Sequence, residues 1–221
     1  MLGTLKWRIV FAMARGASGL SMAAGLVLIG IGPGGIGGMT RDAVSAAKDA
    51  DYRRYEAYTA LWSQDDLESL EDEIGEIRKV MRPEVEDPVE LLALAKTNSV
   101  ALLVVGDPLQ ATTHVDLQLQ ALEAGVQCTV IHGVAITGLV TGAVGLSNYR
   151  FGRQTTLTYP YGGWVATSPL EVIAVNRIQG LHTLALLDLD PTGEGVGGQK
   201  PMQPKDAAAV SYTHLTLPTK A

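Results

Sequence analysis

The sequence has little with which to staple, metallate or strongly charge itself. One cysteine, Cys128, stands among 221 residues, which excludes an intramolecular disulfide framework and any cysteine-rich zinc site. The four histidines are scattered, with no HxH or HxxxH pair, and leave little to hold a metal. Lys+Arg number 17 against 23 Asp+Glu, a net charge of −6. That mild acidity excludes the clustered basic groove that nucleic acid requires. Long apolar runs are also missing: nine glycines and Pro33 interrupt the uncharged stretch 16–40, whereas a membrane-spanning helix needs roughly 20 mostly apolar residues. What is abundant is apolar residues, at 47%, and glycine, 25 in all. Such a chain can bury a sizeable core, and its length suits one to two domains. The class left is a soluble α/β protein of a reducing compartment.

Both ends read as foreign to the middle. Residues 1–21 carry Lys6, Arg8 and Arg15, and no further charge appears until Arg41. Ala23-Ala24-Gly25 offers a cleavage site for a signal peptide, which keeps secretion open. The preferred reading takes Met22 as the natural start and residues 1–21 as a non-native extension. At the other end, residues 211–221 resemble translated sequencing adapter, so Tyr212 and His214 carry no functional weight. Between them the expected organisation is an N-terminal α/β domain at 22–132, the start of a second at 133–190, and a Gly/Pro-rich segment at 191–210.

Short β-rich runs alternate with helical patterns, the signature of βα units on a mostly parallel sheet. Strands are expected at 26–31, 51–58, 100–105, 126–131, 153–159 and 183–189. The runs at 100–105 and 183–189 are apolar enough for burial on both faces. Helices are expected at 41–50 behind Thr40 as N-cap, at 87–96, 113–124 and 135–145, and at 168–179 with Ser168 as N-cap and Pro169 at the first position. The acidic stretch 64–76 holds seven carboxylates with Leu67 and Leu70, and reads as either an exposed helix or a mobile excursion.

Three strand ends carry unusual residues, at the edge where open α/β sheets bind ligands. Gly30-Ile-Gly32-Pro33-Gly34-Gly35 satisfies G-x-G-x-x-G, with Asp51 or Glu56 about 20 residues on. The context of a dinucleotide fold is missing, because Gly37 and Gly38 follow where a phosphate-binding helix should begin, and Pro33 removes an N–H. At Gly106-Asp107-Pro108 a buried strand runs into a carboxylate suited to ribose hydroxyls or a cationic group, or to capping the following turn. His114, in the first turn of the next helix, reads first as a structural hydrogen bonder. The third end, His132-Gly133-Val134-Ala135-Ile136, leaves room for a flat ligand or a tight turn.

Taken in order, IGIGPGG at 29–35, GDPLQATTH at 106–114, VIHGVAI at 130–136, YPYGGWVATSPLEVI at 159–173 and GLHTLALLDL at 180–189 resemble the diphthine synthases. These belong to the tetrapyrrole-methylase-like class of S-adenosylmethionine (SAM) methyltransferases. The glycine turn and GDP are common to the class, whereas GDPxxATTH with GLHTLxLLD is specific to the family. The resemblance implies a two-domain α/β fold with SAM in the cleft, here with the second domain truncated, and a cytoplasmic homodimer without metal or membrane. It implies SAM contacts at Pro33, Asp107, Gln110, Ala135, Ile136 and Leu187. Gln110 stands where the family has an apolar residue and Ala135 where serine is commoner; backbone contacts survive both changes. The remaining SAM contacts of the family lie past Asp190.

The implied reaction methylates the amino group of the 3-amino-3-carboxypropyl histidine of elongation factor 2. An amine attacking a sulfonium methyl needs chiefly position and desolvation, which agrees with the absence of a Ser-His-Asp set. No catalytic residue is assigned, with His114, Asp116 and His132 as candidate bases. The alternatives are another methylase of the class, acting on a corrin precursor or ribosomal RNA, and a non-catalytic nucleotide-binding domain.

Overall fold

The computed structural model describes residues 23–216, Gly163 excepted. The expected start at Met22, the extension 1–21 and residues 217–221 of the tail lie outside the described residues. Five strands form the first sheet: β1 (Gly25–Gly30), β2 (Tyr52–Glu56), β3 (Arg78–Val80), β4 (Ser99–Val104) and β5 (Cys128–Ile131). Their order is β3-β2-β4-β1-β5 and every pairing is parallel. Helices make the crossovers: α1 (Arg41–Asp49), α2 (Gln64–Ile74), α3 (Arg82–Glu86), α4 (Val89–Ala95) and α5 (His114–Glu123). The chain goes on through α6 (Ile136–Ala143), β6 (Thr155–Leu157), α7 (Ser168–Ile178), β7 (Ala185–Leu187) and α8 (Pro204–Thr216), with β6 and β7 paired in parallel as a second sheet.

Local chemistry accounts for most of the first sheet. All six residues of both β1 and β4 are buried, as near-continuous apolar runs between two helix layers require. One face packs Ile29, Tyr55 and Leu103 against α1 and α2, and the other packs Leu28, Leu102 and Val104 against α4 and α5. Thr40 caps α1, its hydroxyl accepting from Ala43 N at 3.1 Å. The two arginines of β2 are absorbed locally. Arg53 donates to the Ala47 and Lys48 carbonyls at the end of α1, both at 2.6 Å, and Arg54 lies over the Tyr52 ring.

Several expectations need correction. Of the two readings of the acidic stretch 64–76, the helix holds over 64–74, and it is not simply exposed, because Leu67, Leu70 and Ile74 bury its inner face. The edge strand β3 and the short α3 were not expected, being charged and only 3 and 5 residues long. Helix α7 has Thr167 as its N-cap, with no side-chain capping bond, and Pro169 in its second position. The buried strand expected at 183–189 is three residues long and half-buried, with Leu187 exposed; among the described residues only β6 pairs with it.

Polar ties do much of the work in the second part of the chain. Buried Asn176 on α7 donates to Arg153 O and Thr183 Oγ1, at 2.7 and 2.8 Å. Asp188 accepts from Tyr159 N and from the Tyr161 hydroxyl. The loop after β7 reaches back to the first sheet: Gln199 Nε2 donates to Ala57 O at 2.7 Å, and Arg82 N to Gly195 O at 3.0 Å.

Candidate functional site

Parallel strands send the loops that follow them to one edge of the sheet, and those after β1, β4 and β5 meet there backbone to backbone. Gly32 and Gly106 exchange hydrogen bonds of 3.1 and 2.8 Å, and Ile31 N donates to Val104 O at 2.9 Å. A Cβ on Gly30 would stand 2.7 Å from Gly106 O, and one on Gly133 would collide with that same carbonyl. Glycine is required at Gly30 and Gly133 for this close approach rather than for a bound phosphate. A single 3-10 turn, Ile36–Gly38, separates the glycine turn from α1, so no helix N-terminus follows it as a dinucleotide fold demands.

The loop from Gly106 to Thr113 is wired by its own side chains. Asp107, 6% exposed, accepts from Leu109 N on Oδ1 at 2.8 Å. Its Oδ2 accepts from His132 Nδ1 at 2.8 Å and from Gly133 N at 3.2 Å. The carboxylate therefore caps its turn and also clamps the β4 loop to the β5 loop. Three of its roughly four acceptor sites are thus used within the protein. The carbonyl of Pro108 accepts from Thr112 Oγ1 at 2.6 Å and from His114 Nδ1 at 3.2 Å. Between them Ala111 takes the left-handed conformation, φ 56°, uncommon for a residue with a side chain. The GDPxxATTH pattern thus encodes one rigid loop.

Of the six predicted cofactor contacts, Pro33, Asp107, Gln110 and Ala135 lie on these three loops, and Ile136 opens α6 where the last of them ends. Pro33, Gln110 and Ile136 are exposed and Asp107 is buried. A Cβ on Gly106 would touch Ala135 Cα at 3.8 Å, and one at Gly34 would meet nothing within 4 Å. Helix α6 starts at Ile136 with no side-chain cap, so its first N–H groups are left to other partners. The surface is a ledge of small residues, Gly34, Gly35 and Ala135 among them. Leu187 stands apart from this ledge, at the end of β7 in the second sheet. Of the candidate bases, His132 is the Asp107 partner, His114 is fully buried and Asp116 lies in the first turn of α5.

Two further residues, Trp62 and Glu56, support this edge from within the core. Trp62, only 5% exposed, donates from Nε1 to Gly32 O at 3.1 Å and so holds the glycine turn from behind. A buried indole needs such a partner, but the sequence does not say which. Glu56, weighed only as a ribose ligand, is 0% exposed. It accepts from Thr59 Oγ1, Thr59 N and Tyr58 N at 2.6, 2.9 and 3.3 Å. Burial pushes its carboxyl up to about 6 despite those bonds. Asp51 lies at the opposite edge, where its carboxylate accepts from Ser99 N at 2.8 Å. Neither acid is free for a ribose.

Among the described residues no helix is long and apolar enough to cross a membrane, and no group of three or more His, Cys, Asp or Glu is placed to hold a metal ion. The family model of tetrapyrrole (corrin/porphyrin) methylases matches residues 25–194. The chain is 34% identical over 194 residues to a diphthine synthase of Methanoregula boonei, an alignment covering 85% of this chain and 78% of that one. It is 39% identical over 183 residues to the diphthine synthase of Halorubrum lacusprofundi, covering 80% and 68%. Against that of Methanocorpusculum labreanum, 38% identical, it spans 61% of the relative's length. A crystal structure of diphthine synthase superposes with a TM-score of 0.74 at 32% identity, covering 85% of this chain and 70% of that chain.

Proposed function

The chain belongs to the tetrapyrrole (corrin/porphyrin) methylase family, and from that premise we propose that it acts as a diphthine synthase. In this reading it moves methyl from SAM to the amino group of the 3-amino-3-carboxypropyl histidine of elongation factor 2. It works in the cytoplasm as a homodimer, and the exposed Leu139 on α6 and Val144 just after it support an interface between copies. Residues 22–132 form the donor-binding domain and 133–190 the start of the second.

The observation that carries the reading is the loop Gly106–Thr113, whose sequence is the family's specific motif and whose side chains fix the donor ledge. Pro33, Gln110, Ala135 and Ile136 border the donor, while Asp107 and Trp62 keep the three loops in register beneath it. SAM supplies an activated methyl and its leaving group when bound. The protein supplies position and a dry setting, worth several kcal/mol of a bimolecular barrier. The acceptor amine is the nucleophile, and the scheme calls on no metal and no nucleophilic side chain.

Incubation with methyl-labelled SAM and three acceptors tests it: the modified elongation factor, ribosomal RNA and a corrin precursor. Label in the factor alone is expected. Label in RNA or the corrin overturns the substrate, and saturable SAM binding without transfer to any acceptor leaves a nucleotide-binding domain.

A further inference from the structure

His132 follows β5 directly and opens the loop that leads to Ala135 and Ile136, yet methyl transfer as described leaves its imidazole without a task. Its backbone is pinned on both sides. Ile131 is in register with Ile29 of β1, and a Cβ on Gly133 would collide with Gly106 O and with the Gly30 carbonyl. Its ring is pinned as well. Nδ1 lies 2.8 Å from Asp107 Oδ2, and Leu109 N and Gly133 N hold the same carboxylate at 2.8 and 3.2 Å. A carboxylate can only accept, so Nδ1 carries the hydrogen and Nε2 keeps its lone pair. Nε2 has no hydrogen-bond partner among the described residues, and the His132 side chain is 60% exposed. An imidazole held by a carboxylate on one nitrogen, with the other bare and accessible, is arranged to accept a proton.

The other two candidate bases each lack one of these properties. His114 spends Nδ1 on Pro108 O, and its Nε2 is buried away from solvent. Asp116 accepts from Gln120 Nε2 at 2.7 Å and lines a cavity between α3 and α5 with Val85 and Glu86, rather than the donor ledge. The reaction needs a base, because an aliphatic amine is mostly ammonium at neutral pH and then has no lone pair with which to attack. Once the acceptor covers the site, bulk water no longer takes that proton.

We propose that His132 is the catalytic base of the methyl transfer, Nε2 taking a proton from the acceptor ammonium while Asp107 holds the ring and faces the imidazolium that results. The assignment rests on the proposed function. The ammonium N–H bond breaks with its electron pair left on nitrogen, and the proton passes to Nε2. That pair then forms the bond to the methyl carbon as the carbon–sulfur bond breaks, its electrons staying on sulfur and neutralising the sulfonium. The product nitrogen is again a cation, and the imidazolium returns its proton to water when the ring is uncovered. A second transfer to the same nitrogen repeats these steps. Asp107 thus has two tasks, clamping the β4 loop to the β5 loop and orienting the base.

The test uses the full chain, as wild type and as His132→Asn, whose side-chain amide nitrogen takes the place of Nδ1 and keeps the bond to Asp107 while Nε2 is lost. Transfer of labelled methyl from SAM to the modified elongation factor is followed from about pH 6.5 to about pH 8.5, with S-adenosylhomocysteine affinity measured alongside. Wild type should be nearly flat over the upper half of that range. His132→Asn should run about 100-fold slower at neutral pH and climb about tenfold per pH unit, as the neutral fraction of the free amine does. Its S-adenosylhomocysteine affinity should hold. A variant that matches wild type, or one slowed equally at every pH, overturns the inference and leaves His132 a structural clamp. Nitrogen NMR of the His132 ring in wild type, at about pH 8, gives a readout independent of activity and of how the variant folds. Nδ1 protonated with Nε2 bare is expected, and the opposite tautomer overturns the inference. Wild type that transfers no methyl to the factor removes the function beneath it.

Discussion

Strands β1 and β4 are buried along their whole length, whereas β6 and β7 hold a single buried residue, Leu157, between them. The first sheet draws on two apolar clusters on its opposite faces. The second has a cluster of three buried residues, Leu157, Met202 and Ala207, and is held as much by Asn176, Asp188 and Asp190. The difference teaches where precision is available. Five of the six predicted donor contacts stand on, or directly after, loops anchored by the deep core. Leu187, the one in the second sheet, stands on a three-residue strand that is largely open.

The largest expected effect breaks that contrast directly. Leu102→Ala, at 0% exposure in β4, should cost about 2–5 kcal/mol of unfolding free energy, and Leu157→Ala no more than about 2 kcal/mol. Equal losses in urea unfolding would show that the two sheets share one core. Next comes the glycine junction. Gly133→Ala puts a methyl into the Gly106 carbonyl and should cost about 1–3 kcal/mol. Gly138→Ala, inside α6 with nothing within 4 Å, should be neutral or stabilise by up to about 1 kcal/mol. A thermal shift of the same sign for both would remove the argument from close approach.

Glu56 sharpens the comparison through pH. Its folded pKa, about 6, is raised from 4.5, so the folded state binds the proton more tightly. The stabilisation is complete below about pH 4.5 and is lost as pH rises through 6, to a total of about 2 kcal/mol. Glu56→Gln should remove that slope. A variant whose stability still falls by the same amount between pH 4.5 and 7 would place the titration elsewhere.

How much of this was legible depended on how local each cause is. The apolar runs of β1 and β4 and the Thr40 cap are decided by adjacent residues, and the sequence shows them. Arg78–Val80 is a strand only because β2 offers it an edge, which three charged or isolated residues cannot announce. Glu56 is buried because Thr59 and Tyr58 turn back onto it, and Trp62 reaches a carbonyl 30 residues away. The Gly106–His114 motif was readable as a family signature. That Asp107 spends its carboxylate on His132 and Gly133 was not, since those partners lie 25 and 26 residues on. The short, half-exposed β7 departs from its apolar sequence for the same reason: burial is a property of what packs against a strand.

Asp107 clamps the β4 loop to the β5 loop beneath the proposed donor site. Calorimetric titration with S-adenosylhomocysteine, on wild type and on Asp107→Ala of unchanged circular dichroism, measures this most directly. Saturable binding by wild type, weakened at least about tenfold in the variant, is the predicted result, corresponding to about 1.4 kcal/mol. Equal affinity in both proteins, or no binding by wild type, would contradict it.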